Sequence, residues 1–153
     1  MDSDFIGLDE TVDILEWKSD LLILNHIALE RIFGYKDIFE KKTQSAMIII
    51  KEQNIFANLD VFEEDCMRDR RIMKRFATIM QNERLPLFFK NIDKVPQLVK
   101  DLKLNLEFDE NGKIIYSDRS QLYAITNLMS DSYFKSLLAA RVGVAKLEGK
   151  LEE

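Results

Sequence analysis

The chain contains only one cysteine, Cys66, and only one histidine, His26. A single cysteine excludes an internal disulfide framework, and a single histidine argues against the usual zinc sites and against a histidine-based catalytic triad. A catalytic nucleophile and base would have to be these two residues, which lie far apart in sequence among apolar neighbours, as structural residues commonly do. The sequence therefore predicts no catalytic residue, no metal site and no cofactor.

Glycine and long apolar runs are also scarce. The five glycines are nowhere spaced as in the phosphate-binding loops GxGxxG and GxxxxGK[ST], so nucleotide hydrolysis is not expected. No apolar run approaches the ~20 residues of a membrane-spanning helix. Residues 1–4 (MDSD) are acidic where a signal peptide would be basic. Together with the single thiol, these features predict a cytoplasmic protein.

What the chain does contain is typical of one globular domain. Of its 153 residues, 46% are hydrophobic and 10% aromatic, and its net charge is −5. This acidic balance argues against a surface coated in basic charge but leaves a local basic face open. Without repeats or linkers, the sequence predicts a single compact α+β domain over residues 1–153, with its core at about 8–138 and a Lys/Glu-rich tail at 139–153 that is expected to fray.

Two hairpins account for the predicted strands, which are mainly antiparallel. Residues 11–17 and 21–24 favour strands and flank the polar loop Lys18-Ser19-Asp20, which suits a three-residue hairpin connection. Residues 104–108 and 113–116 flank Asn111-Gly112, the dipeptide most typical of a tight hairpin.

About five helices are predicted between and after these hairpins. Their apolar residues recur at helical intervals, and their ends carry capping residues. The predicted helices run from His26 to Gly34, from Lys36 to Lys51, onward from Asp60, from about Pro96 to Lys103, and from a cap at Ser117 to about Ser130.

The helix that starts near Asp60 is the most informative segment, because Asp60 and Glu63 resemble a capping box and Pro86 is expected to close the region. Its predicted apolar arc consists of Phe62, Cys66, Ile72, Met73, Phe76, Ile79 and Met80. Asp65 and Asp69 fall in or beside this arc. Either they have buried partners, or the helix restarts with Asp69 as a new N-cap.

Five cations occupy the opposite side of this predicted helix: Arg68, Arg70, Arg71, Lys74 and Arg75. Lys and Arg on one accessible face suit phosphate contacts, and Arg adds bidentate geometry. The alternative is a solvated face that forms ion pairs with Glu63 and Glu64. The basic surface would be extended by Lys90, Lys94, Lys100 and Lys103.

A second candidate site is the tripeptide Glu16-Trp17-Lys18. Its E-x-K form occurs in metal-dependent nucleases, where carboxylates hold Mg²⁺ and the lysine orients the attacking water. Such a site also needs another acidic residue, for which only Asp9 or Asp13 is near. The alternative is a solvated strand edge with a cross-strand charge pair.

The order of these features extends over residues 8–138. An early strand pair with a following helix covers residues 13–15, 22–25 and 29–35 (DIL, LILN, LERIFGY), and the later part comprises residues 70–75, 104–108, 112–115 and 128–131 (RRIMKR, LNLEF, GKII, LMSD). This pattern resembles the KwaB-like domain of Kiwa anti-phage defence systems.

The resemblance implies a bacterial defence protein without known enzymatic activity, which binds DNA and acts with a membrane-embedded partner, KwaA. It also implies a longer family pattern, with a further N-terminal portion and a tyrosine soon after residues 136–140 that this sequence lacks. The leading hypothesis is a non-enzymatic, sequence-tolerant DNA-binding module that uses the five cations and forms a homo-oligomer. A protein-interaction or oligomerisation module is the alternative, and a metal-dependent nuclease around Glu16 and Lys18 is the third.

Overall fold

A computed structural model describes residues 14–18, 20–25, 27, 31–135 and 142–144. The chain divides into two compact units, Met1–Asp37 and Ile38–Glu153. Short antiparallel strands and helices make up the described residues, which confirms the predicted α+β class.

The first unit contains an antiparallel hairpin of β1 (Ile14–Trp17) and β2 (Asp20–Ile23), as predicted. Trp17 pairs with Asp20, so the connection is shorter than the predicted three residues. Lys18 has a positive φ of 58°, a conformation that matches the twist of two strands joined by a short turn. In the predicted helix that follows, Ile27, Arg31 and Ile32 are helical, and its remaining residues before Ile32 lie outside the described part.

The second unit is mainly helical, and its first helix begins before the unit boundary. The helices are α1 (Tyr35–Gln53), α2 (Leu59–Arg68), α3 (Arg70–Gln81), α4 (Arg84–Lys90), α5 (Val95–Asp101) and α6 (Leu122–Met129). Short 3-10 turns at Ile92–Lys94 and Arg119–Gln121 precede α5 and α6.

Two further hairpins belong to the second unit. The predicted hairpin pairs β3 (Glu107–Phe108) with β4 (Ile114–Ile115). In its turn Gly112 has φ 77°, and the Asp109 carboxylate accepts backbone N–H groups of Asn111 at 2.9 Å and Lys113 at 2.7 Å. An additional hairpin, absent from the sequence prediction, pairs β5 (Tyr133–Lys135) with β6 (Val142–Val144).

The core of the second unit lies where the segment before α2 meets β4. The Ile114 N–H donates to the Ile55 carbonyl at 2.8 Å. The Phe62 ring stacks on Phe56 with centroids 4.5 Å apart and meets Tyr116 edge-on at 5.3 Å. Burying an aromatic side chain such as Phe62 contributes about 1.5–3 kcal/mol. The contacts of Ile114 with Ile55 and of Tyr116 with Phe62 join residues that are more than 50 positions apart in sequence.

The predicted apolar arc is confirmed as a buried surface. Its members Phe62, Cys66, Ile72, Met73, Phe76 and Ile79 are buried, and Met80 packs against the core from its edge. Because α3 buries this side, its charged residues have to lie on the other side or at the margin of the buried surface.

The chain breaks at Asp69 between α2 and α3, so no continuous helix runs on from Asp60, and the restart at Asp69 that the sequence left open is confirmed. Asp69 has extended backbone, and its carboxylate accepts the N–H groups of Arg71 at 2.9 Å and Ile72 at 3.3 Å, as an N-cap does. Asp65 instead accepts the Tyr116 hydroxyl at 2.8 Å. Both explanations that the sequence left open are therefore realised, one at each aspartate.

Three local predictions at helix ends are wrong. The capping box of Asp60 and Glu63 does not form, because α2 starts at Leu59 and the preceding Asn58 uses its side chain to bond the Tyr116 backbone. Pro86 does not close a helical region but lies in the first turn of α4, where its missing N–H is not needed. The cap expected at Ser117 is formed by Asp118, which accepts the Ser120 N–H at 2.7 Å.

Candidate nucleic-acid interface

Helix α3 carries four cations and no acidic residue in 12 residues, in the sequence RRIMKRFATIMQ. Its apolar residues face the core, so burial of one side fixes which way the charged side turns. Arg70, Arg71 and Lys74 are exposed, and Arg75 is half-buried. Arg70, Arg71 and Lys74 form the basic face of α3.

Arg68, the fifth predicted cation, does not belong to this helix. It is the last residue of α2, and its guanidinium lies 2.5 Å from the Glu64 carboxylate one turn earlier. Both side chains are exposed, and such pairs contribute only about 0.3–0.5 kcal/mol. At Arg68 the structure thus has the ion pair with Glu64 that the alternative interpretation described.

Arg75 connects α3 to α6. Its Nε donates to Thr126 Oγ1 at 3.0 Å, its Nη2 donates to Asn127 Oδ1, and its Cζ lies 5.6 Å from the centroid of the Tyr123 ring. Burial lowers the pKa of Arg75 from its usual value, but a guanidinium stays charged at neutral pH. These contacts hold the guanidinium at one edge of the basic face, beside an aromatic ring.

The structure brings a further cation, Arg119, to the start of α3, and sequence reasoning missed it. Its Nε lies 3.7 Å from Asp65 and its Nη2 lies 4.0 Å from Asp69, while 56% of its side chain stays exposed. Arg119 is 50 positions from Asp69, so no helical spacing or motif predicts their contact. The charged residues near the α2–α3 break therefore come from two separate segments.

The lysines expected to extend the basic surface lie on other elements. Lys90 ends α4, Lys94 ends the turn before α5, Lys100 is in α5, and Lys103 follows it; all four are exposed. Lys94 Nζ donates to the Asn91 side chain at 2.7 Å.

The residues of the nuclease hypothesis belong to the first hairpin and to the segment before it. Glu16 lies in β1 and Lys18 in the turn after it, while Asp9 and Asp13 lie outside the described residues. Within the described part of the chain, no three His, Cys, Asp or Glu side chains are grouped closely enough to hold a metal ion.

The lone cysteine and histidine form no catalytic pair within the described structure. His26 lies outside the described residues. Cys66 is completely buried, and burial raises the pKa of its thiol, which disfavours the reactive thiolate. Cys66 therefore serves the core as a small apolar side chain.

Comparison with known proteins gives one family. The model of the family described as Kiwa protein KwaB-like matches residues 1–139. Curated proteins and solved structures provide no match. Among the helices that the structure describes, none has the length and apolar character required to cross a membrane.

Proposed function

We propose that this chain, which belongs to the Kiwa KwaB-like family, binds DNA through the basic face of α3. Family membership associates the chain with Kiwa anti-phage defence. DNA binding is the contribution to that defence which the charge distribution supports best.

The observation that carries the proposal is the separation of charge on α3. The helix has four cations and no acidic residue, although the chain as a whole has a net charge of −5. Two of the cations, Arg70 and Arg71, sit in the first helical turn, where the helix dipole disfavours positive charge. A phosphate that approaches the start of α3 would meet these two cations together with the positive end of the helix dipole.

The expected binding is sequence-tolerant, because charged side chains on a helix surface contact phosphates and those contacts carry no base information. Three phosphate contacts by Arg70, Arg71 and Lys74 correspond to a slope of about −2.7 in log affinity against log salt. Between about 50 and 200 mM salt, that slope amounts to a loss of about 40-fold in affinity.

The experiment measures binding of a fluorescent DNA duplex across this salt range with two double variants. Arg71→Gln/Lys74→Gln removes two charges from the basic face of α3. Lys41→Gln/Lys42→Gln removes the same charge from exposed positions on α1. We expect only the first variant to flatten the salt slope, by about 1.8.

Equal effects of the two variants would contradict the assignment to α3, since both change the net charge equally. Circular dichroism of each variant establishes that the helices are retained. Absence of binding to both duplex and single-stranded DNA by the unmodified chain at the lowest salt would contradict DNA binding itself.

We also infer that the chain acts with a membrane protein, KwaA, and that it catalyses no reaction. Both inferences follow from the family resemblance. The corresponding test incubates the chain with supercoiled plasmid and Mg²⁺ or Mn²⁺, and we expect the plasmid to stay intact. Cleavage that disappears in Glu16→Ala would instead support the nuclease hypothesis.

A second candidate function is assembly, including a homo-oligomer, and the first unit favours it. Leu15 and Leu22 are paired across the β1–β2 hairpin, and both are exposed. An isolated two-stranded hairpin is only marginally stable, so covering these side chains would stabilise it. Light scattering at several protein concentrations tests this function. A mass that rises with concentration and is insensitive to DNA would favour assembly over DNA binding.

A further inference from the structure

Tyr123 is the one aromatic residue of α6, and its side chain is only partly buried. Its neighbours Leu122 and Ile125 are about 1% exposed, whereas Tyr123 keeps 42% of its surface exposed. An exposed aromatic side chain gives up much of its contribution to folding but offers a flat apolar surface to a ligand. Exposure alone is common for single apolar residues, so the environment of the ring decides what it can do.

The ring is next to a guanidinium group whose position is fixed by hydrogen bonds. The Arg75 guanidinium lies 5.6 Å from the centre of the Tyr123 ring, and its orientation is set by hydrogen bonds to Thr126 and Asn127, which are buried. Both hydrogen-bond partners are neutral. Among the ion pairs of the described residues, none includes Arg75. Within the described residues, the positive charge over the ring is therefore not neutralised by a carboxylate.

The basic face of α3 continues from this point. Arg71 precedes Arg75 by four residues, so the two lie on the same side of α3, just over one turn or about 6 Å apart along the helix. A strand of DNA that follows the exposed cations reaches Tyr123 at the end of the basic face. Aromatic rings beside basic side chains are the combination that single-strand-binding proteins use, since every base can stack on a ring.

We propose that Tyr123 stacks on an unpaired base and that the site formed by Tyr123, Arg75 and the basic face of α3 prefers single-stranded DNA over duplex. This inference rests on the proposed DNA binding and names its ligand more closely. In a duplex the bases are paired and stacked on one another, so the ring gains a partner only when a base is unpaired. Arg75 acts as a positioning residue, because its guanidinium holds a positive charge 5.6 Å from the centre of the Tyr123 ring.

The test uses the full chain, a fluorescent oligo(dT) of about 15 nucleotides and a duplex of equal length. Loss of one stacked base weakens binding by about 5- to 150-fold. We expect Tyr123→Leu to weaken oligo(dT) binding within this range, with an unchanged salt slope and unchanged duplex affinity. Tyr123→Phe keeps the ring and should bind as the unmodified chain does. Leu98→Ala, at a side chain on α5 that is also 42% exposed, is the matched control and should change neither affinity.

Each other outcome has a defined meaning. If Tyr123→Leu binds oligo(dT) as the unmodified chain does, while both bind duplex, the stacking inference is wrong and the proposed DNA binding stands. If Tyr123→Leu weakens both DNAs equally, the ring supports the surface rather than a base, and the preference for single strands is wrong. If the unmodified chain binds neither DNA, the proposed function fails together with the inference.

Discussion

Replacing Asp69 with alanine should lower the stability of the fold and strengthen DNA binding at the same time. The Asp69 carboxylate caps α3 by accepting two backbone N–H groups, at 2.9 and 3.3 Å. Loss of an N-cap acceptor costs about 1 kcal/mol, within a range of about 0.5–2 kcal/mol. The second contact of Asp69, with Arg119 at 4.0 Å, adds little because Arg119 is mostly exposed. We therefore expect Asp69→Ala to lower the free energy of unfolding by about 1 kcal/mol.

The same substitution removes a negative charge from the start of the basic face. Two unit charges about 8 Å apart in water interact by about 0.5 kcal/mol. Removing the repulsion between Asp69 and a phosphate at that distance should tighten DNA binding about two-fold at low salt. Salt should reduce this gain, because the interaction is screened over a Debye length of about 10 Å at 0.1 M.

Asp69→Ser separates the two effects, because serine keeps a side-chain acceptor for the cap but has no charge. Urea unfolding should give Asp69→Ser a free energy of unfolding within a few tenths of a kcal/mol of the unmodified chain. Duplex binding should be tightened equally in both variants. If Asp69→Ser is as unstable as Asp69→Ala, the side chain of Asp69 does not stabilise α3 as a cap. If both variants bind DNA more weakly, Asp69 does not repel phosphates at this site.

Three further predictions concern stability. Lys103→Gly should raise the free energy of unfolding in urea by about 1 kcal/mol, because Lys103 follows α5 with φ 53°, where glycine avoids left-handed strain. Lys100→Gly, inside α5, should lower it by a similar amount, and a change of the same sign in both variants would exclude the explanation. Arg75→Gln should lower the free energy of unfolding by about 2 kcal/mol, because it breaks the charged hydrogen bonds between Arg75 and α6. An unchanged midpoint of urea unfolding would argue that these hydrogen bonds do not stabilise the fold. Burial raises the pKa of Tyr116 above its ordinary value near 10, so above about pH 10 the unfolded chain loses a proton that the folded chain keeps, and stability falls as pH rises. The free energy of unfolding of Tyr116→Phe should fall less steeply with pH in this range. Identical pH dependence of the two chains would contradict the assignment of this effect to Tyr116.

The buried side of α2 and α3 is predictable from the sequence because helical periodicity is a local property. The residues of the predicted apolar arc from Phe62 to Ile79 recur on one side, and they are buried. The hairpin at Asn111-Gly112 is equally local, since a glycine with positive φ fixes the turn between two short strands. The family resemblance, read from short segments between residues 13 and 131, agrees with the family match over residues 1–139.

The remaining features depend on contacts that no local pattern contains. Asp65 looks out of place in an apolar arc until Tyr116, 51 positions away, donates a hydrogen bond to it. Arg75 belongs to the basic side by spacing, but α6 supplies Thr126 and Asn127 and turns its guanidinium toward that helix. Periodicity assigns a residue to a side of its own helix, and only the tertiary packing decides which neighbour it meets.

The most direct test of DNA binding by α3 is a titration of the full chain, labelled with ¹⁵N, with a short DNA duplex, followed by backbone amide chemical shifts. If α3 binds DNA, we expect the largest shifts at residues 70–75 and smaller ones near Arg119 and Tyr123. Lys41 and Lys42, which are exposed on α1, should remain unchanged. Shifts that are confined to α1 or to the β1–β2 hairpin, or that are absent at saturating DNA and low salt, would contradict the account.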